Sequence, residues 1–241
     1  MEKCIIKKAF RMNKIIIFGN QKGGVGKTTL CTMFANYLAD RDVPVAVIDC
    51  DGQQTIHEKR IGDTKLFADN QPRYSITPFS VSDAESVNAL MNNVSKAEGV
   101  ILFDAPGNLA QQGLVPLFAK SDYIVCPYQF ELTSINSTVT FVNFINKIKE
   151  RLKVKQEAAQ LIFVPNRYDQ RKGLKNELEL WNKTEEIFAE YGTNAPRVKD
   201  KASMTRYNTY SNSKEISEEV TPTFDYIYDL IIKSQENGTT I

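Results

Sequence analysis

The chain has 241 residues, 42% of them hydrophobic, with 30 Lys+Arg against 29 Asp+Glu for a net charge of +1. That usage excludes a disordered, collagen-like or coiled-coil chain and leaves a core of useful size for one α/β domain. The near-zero charge announces neither nucleic acid nor an anionic membrane, so either partner must be argued from local clusters, and no apolar run approaches the roughly 18 residues of a membrane span.

Residues 1–11 read as a leader outside the fold, expected to be disordered. Their apolar pieces are too short for a secretion signal, and Met12, directly before the first strand, reads equally as a start. Residues 12–241 read as a single domain. Apolar runs of strand length follow at 14–19, 45–49, 73–79, 99–104, 122–127 and 161–166, continuously apolar rather than alternating. Between them lie segments with a helical stripe: Leu30, Met33, Phe34, Tyr37 and Leu38 share one face of a helix over 26–41, and Phe141, Ile145, Ile148 and Leu152 repeat the pattern. The stripe of Leu174, Leu178, Trp181, Glu185 and Phe188 is less clean. Such alternation predicts a doubly wound, mostly parallel α/β sheet with helices on both faces. There is no internal repeat. Cys4, Cys31, Cys50 and Cys126 never form C-x-x-C, so zinc and iron–sulfur spacings are lacking and the chain reads as a reduced, cytoplasmic protein.

The first strand runs into Lys22-Gly23-Gly24-Val25-Gly26-Lys27-Thr28-Thr29 and then into the amphipathic helix. Glycines there let backbone N–H groups turn inward around phosphate oxygens, and the helix N-terminus adds its dipole. Lys27 would neutralise the β/γ-phosphates, and the Thr28 hydroxyl would ligate Mg²⁺. The second strand ends in Asp49-Cys50-Asp51, where the two carboxylates point to opposite sides. A fourth strand ends on Asp104, the Walker B position, where a carboxylate can hold a Mg²⁺-bound water.

With a second lysine, Lys22, at the loop entrance, the chain resembles the ParA/MinD family of deviant Walker A P-loop ATPases. The resemblance is strong at the three motifs and weak after Asn166. It implies that Lys22 reaches across a dimer interface to phosphates bound by the partner subunit, and that Asp51 positions or deprotonates the attacking water beside Mg²⁺. It further implies that Asn166 recognises the adenine edge and that Pro196 borders the nucleotide; an Asx-turn role for Asn166 is the alternative. Gly52 stands where the family usually has Pro, and Ala105 is a milder departure. The cofactors implied are ATP and Mg²⁺.

Basic residues gather from 147 to 175 and again at Arg197, Lys199, Lys201 and Arg206. Lys147, Lys172, Arg197, Lys199 and Arg206 are therefore candidate contacts to DNA phosphates. The single histidine, His57, reads as solvated. A ParA-type DNA partition ATPase is the leading reading: ATP would assemble a homodimer on nonspecific DNA, and a ParB-like partner would stimulate hydrolysis and release, at the nucleoid. The alternatives are a MinD-like membrane-positioning ATPase and an accessory ATPase of a conjugative element. Against the first, residues 214–241 carry six acidic residues and two lysines, a poor match for anionic lipid.

Overall fold

The computed structural model describes residues 12–152, 159–169, 171, 173 and 175–236. Seven strands form one all-parallel sheet. In chain order the elements are β1 (Asn13–Phe18), α1 (Lys27–Ala39), β2 (Val45–Asp49), α2 (Thr55–Leu66), β3 (Ser75–Pro78), α3 (Ala84–Val94) and β4 (Gly99–Asp104). There follow α4 (Leu114–Ala119), β5 (Tyr123–Tyr128), α5 (Leu132–Leu152), β6 (Gln160–Pro165), α6 (Lys175–Ala189), β7 (Thr193–Asn194) and α7 (Lys214–Glu236). The strand order is β3-β2-β4-β1-β5-β6-β7. The chain leaves β1 toward β2 on one side and leaves β4 toward β5 on the other, so the loops diverge above the carboxyl ends of β1 and β4. Ligands bind open α/β sheets at such a switch point.

Continuous apolar strands are explained by burial on both faces. Ile16 and Phe18 of β1 face a core shared with α1, α2 and α7, whereas Ile15 and Ile17 face the core of α3, α4, α5 and α6. The six strands read from the sequence are present, the third shortened to four residues, and β7 is a further strand of two residues.

Helix α1 differs from its one-faced reading: Thr32, Ala35 and Asn36 are buried as well as the apolar stripe. The segment before α7 covers the outer side. Asn36 Nδ2 donates to the Asn208 carbonyl at 2.8 Å, and Asn212 Nδ2 donates to the Met33 carbonyl at 2.8 Å. Polar positions that periodicity assigns to solvent are thus satisfied inside the protein.

Candidate functional site

β1 ends at Phe18, in register with Asp104 of β4, which is in turn in register with Asp49 of β2. The phosphate loop therefore starts beside two carboxylates. Asn20 sets its course: buried, it donates from Nδ2 to the Pro127 carbonyl and to Thr138 Oγ1, and its Oδ1 accepts from the Lys22 N–H. Gly24 and Gly26 have φ of +78° and +103°, conformations closed to most side chains, and α1 begins directly after Gly26. Lys27 folds back so that its Nζ donates to the Lys22 carbonyl at 3.2 Å. It is buried, and burial lowers its pKa against the raising fields of Asp104 and Asp51. A lysine so placed spans the mouth of the loop where phosphate oxygens would sit.

Asp104 is fully buried, and neither carboxylate oxygen has a hydrogen-bond partner among the described residues. Burial pushes its pKa up to about 7; the Thr28 hydroxyl is near enough to pull it down but lacks hydrogen-bonding geometry, and Asp49 adds to the rise. An orphaned buried carboxylate is costly unless something binds it. Hard oxygen groups at Thr28, Asp51 and Asp104 suit Mg²⁺. Among the described residues no three His, Cys, Asp or Glu side chains could hold a metal ion by themselves, so phosphate and water oxygens would have to complete its shell.

The two carboxylates of the Asp49-Cys50-Asp51 segment divide their work. Asp49 is fully buried and accepts from the N–H groups of Ile56 at 2.9 Å and His57 at 3.0 Å, rooting the first turn of α2. Its role is structural. Asp51 is half-exposed, accepts from the Gln53 N–H at 2.9 Å, and its charge reaches Lys27. After Asp104, Gly107 presses on the phosphate loop: a Cβ there would stand 2.9 Å from the Gln21 carbonyl and 3.8 Å from Lys27 Nζ.

A cavity of about 400 Å³ runs from Gly26 along Thr29 and Leu30 of α1, with Asn166, Arg167, Lys199, Asp200, Lys201, Met204, Thr205 and Tyr207 as its other walls. Asn166 is buried, and its Nδ2 donates to the Val25 carbonyl at 2.7 Å while Oδ1 accepts from the Arg167 N–H. Its amide thus braces the phosphate loop, and Gly26 must be glycine partly because a Cβ there would lie 2.2 Å from that Nδ2. Pro196 is exposed and absent from these walls; the turn resumes contact with the cavity at Lys199. Sequence reasoning missed Arg167, Tyr207 and Gln129, whose Nε2 donates to the Gly24 carbonyl at 3.2 Å. No motif marks them, because their approach is made by chain crossings between distant segments.

The expected DNA residues do not form one surface. Arg197 is held internally: it donates to both carboxylate oxygens of Glu185, at 2.8 and 2.6 Å, and lies over the rings of Phe130 and Tyr168. A bidentate, ring-stacked guanidinium is not offered to phosphate. Lys147 is exposed near the end of α5, which runs back from the carboxyl edge by about 31 Å for 21 residues. It therefore lies toward the opposite end of the sheet from Lys199. Lys199 and Arg206 are exposed, Arg206 within 3.3 Å of Glu215. Lys172 falls outside the described residues.

Residues 16–192 match the model of the CobQ/CobB/MinD/ParA nucleotide-binding domain family, CbiA. The chain belongs to this family. An uncharacterised protein of Pseudomonas putida is 27% identical over 200 residues, covering 69% of this chain and 74% of its own length. Among solved structures, a plasmid partition protein of Borrelia burgdorferi bound to AMPPNP superposes with a TM-score of 0.67 at 17% identity, over 90% of this chain and 99% of its own. Apo McdA of Cyanothece gives 0.69 at 15% identity, over 90% and 98%. The cell-division ATPase MinD of Pyrococcus furiosus gives 0.64 at 16%, over 91% and 100%. At these identities the likeness is one of fold, the α/β P-loop architecture.

In this member of the CbiA family the three buried thiols Cys31, Cys50 and Cys126 are unpaired and their pKa values are raised by burial, so they stay protonated and inert. No helix among the described residues is long and apolar enough to cross a membrane.

Proposed function

We propose that this chain is an ATPase of the DNA-partition type, which binds Mg²⁺-ATP in the phosphate loop and the adjoining cavity and assembles on DNA as a dimer. The observation that carries the nucleotide reading is the convergence of Lys27, half-exposed Asp51 and buried, unpartnered Asp104 on one loop mouth. Mg²⁺, held through Thr28, Asp51 and, by way of water, Asp104, would supply charge neutralisation on the β- and γ-phosphates. Backbone N–H groups from Gly23 to Thr29 orient the phosphates, and Lys27 balances the charge that develops on the leaving oxygen. Asp51 orients the attacking water and accepts its proton as the γ-phosphoryl group passes to it and ADP departs. Asn166 and the neighbouring walls would enclose the base, with Pro196 no closer than the backbone of that turn.

Lys22 supports the dimer. Its carbonyl is used by Lys27, yet its own ammonium makes no ion pair among the described residues, which leaves it available to a second nucleotide across a two-fold axis. Such a homodimer doubles whatever weak phosphate contacts one subunit makes, and the second contact becomes effectively intramolecular. Lys199 and Arg206 beside the cavity, and Lys147 separately, are the proposed contacts; Arg197 is withdrawn from that set. A ParB-like protein would stimulate hydrolysis, with the protein cycling between cytoplasm and nucleoid.

Fluorescence anisotropy with random duplex DNA, with and without ATP at two salt concentrations, tests the reading. Binding should require ATP and fall steeply with salt, because phosphate contacts release counterions. Binding without ATP, or none beside ATP-dependent pelleting with anionic liposomes, would replace partition by the MinD-like alternative.

A further inference from the structure

Helix α2 touches the nucleotide region twice, and only its first contact is used by the chemistry above. At its N-terminus Asp49 holds the N–H groups of Ile56 and His57, so the helix is anchored at the Asp51 loop. One to two turns later, Arg60 and Asp63 grip the segment that leads from the cavity to α7. Arg60 donates from Nε to Thr209 Oγ1 at 2.8 Å, from Nη2 to the Thr209 carbonyl at 2.8 Å and from Nη1 to the Tyr74 carbonyl at 2.9 Å. Asp63, 5% exposed, accepts from the Thr209 N–H at 2.7 Å and from Thr209 Oγ1 at 2.9 Å. Thr209 is fully buried, so four hydrogen bonds from two charged side chains converge on one residue.

Two residues before Thr209 stands Tyr207, a wall of the 400 Å³ cavity that Thr29 of α1 also lines. Lys59 of α2 lies 4.7 Å above the Tyr207 ring and 3.8 Å from Asp63. The ring is thus held from α2 by Lys59 and along the chain by the clamped Thr209. Neither Arg60 nor Asp63 is a wall of this cavity. Charged groups so fully committed to one backbone turn fix geometry at a cost in desolvation that a surface loop would not need.

We infer that Arg60 and Asp63 are positioning residues for the base end of the nucleotide cavity, acting through Thr209 to set Tyr207. The base wall and the Asp51 loop then ride on one rigid helix. This rests on the cavity being a nucleotide site, and the test separates the two claims. Calorimetry on the full chain compares ATP with inorganic tripolyphosphate, which occupies the phosphate end alone. Arg60→Met and the shape-conserving Thr209→Val should weaken ATP by about tenfold, the scale of one lost buried hydrogen bond, and leave tripolyphosphate unchanged. Tyr207→Leu should lose a similar factor, and adding Arg60→Met to it should cost little more, since both act through the same ring.

Equal weakening of both ligands, full additivity in the double variant, or unchanged ATP affinity in folded variants would each overturn the clamp. Should Arg60→Met not fold, Thr209→Val and Arg60→Lys carry the same comparison. Wild-type protein that binds neither ligand would instead refute the nucleotide reading itself, and the inference with it.

Discussion

Replacing Asn166 by alanine discriminates a brace of the phosphate loop from a reader of the base. The side chain is 6% exposed and its Nδ2 donates to the Val25 carbonyl at 2.7 Å, so truncation leaves a buried backbone oxygen without its partner. Leaving such a group unsatisfied costs about 1–3 kcal/mol, and a loss of that size charged against nucleotide binding is about 5- to 150-fold in Kd. The loop being braced carries the phosphates, and the loss should therefore fall alike on ATP, ADP and GTP. Calorimetric Kd values for the three nucleotides, wild type against Asn166→Ala, give the answer. If ATP weakens while GTP does not, so that the ratio of their affinities collapses, Asn166 reads the adenine edge and the bracing argument is wrong.

Lys27→Ala should bring ATP binding below detection, because the phosphate charge loses the buried cation that spans the loop; near-normal affinity by calorimetry would remove the phosphate-loop assignment. Lys22→Ala should keep measurable ATP binding but lose the ATP-dependent rise in mass seen by light scattering, and normal dimerisation would show that this lysine acts only within its own subunit. Asp51→Ala should bind ATP and persist as a dimer with negligible phosphate release; unchanged turnover in a phosphate assay would falsify its role. For Arg197→Ala the expectation is structural. Loss of the bidentate Glu185 pair, whose side chains are 26% and 21% exposed, should cost about 2 kcal/mol, or roughly 4–8 °C in Tm, with DNA affinity of the folded fraction unchanged.

The sequence by itself determined the doubly wound sheet, because continuous apolar runs alternating with helical stripes have few other ways to bury both faces. It also marked the phosphate loop, Asp51 and Asp104 as candidates, since each is a short motif at the carboxyl end of its own strand, β1, β2 and β4. The sequence placed Asp49 only as one of two alternating carboxylates; its bonds to the N–H groups of Ile56 and His57, seven and eight residues on, emerge in the fold. Tertiary structure alone decided what depends on distant crossings. The polar side of α1 is buried because residues 207–212 lie across it, which no periodicity within α1 can report. Arg197 reads as one more basic residue until Glu185, Phe130 and Tyr168 are seen to enclose it, and the run of positive charge from 147 onward is divided because α5 carries Lys147 away from the carboxyl edge while the following strand returns. Sequence spacing records charge and hydrophobicity along the chain, but whether a charge faces solvent is fixed by which segments the sheet order makes neighbours.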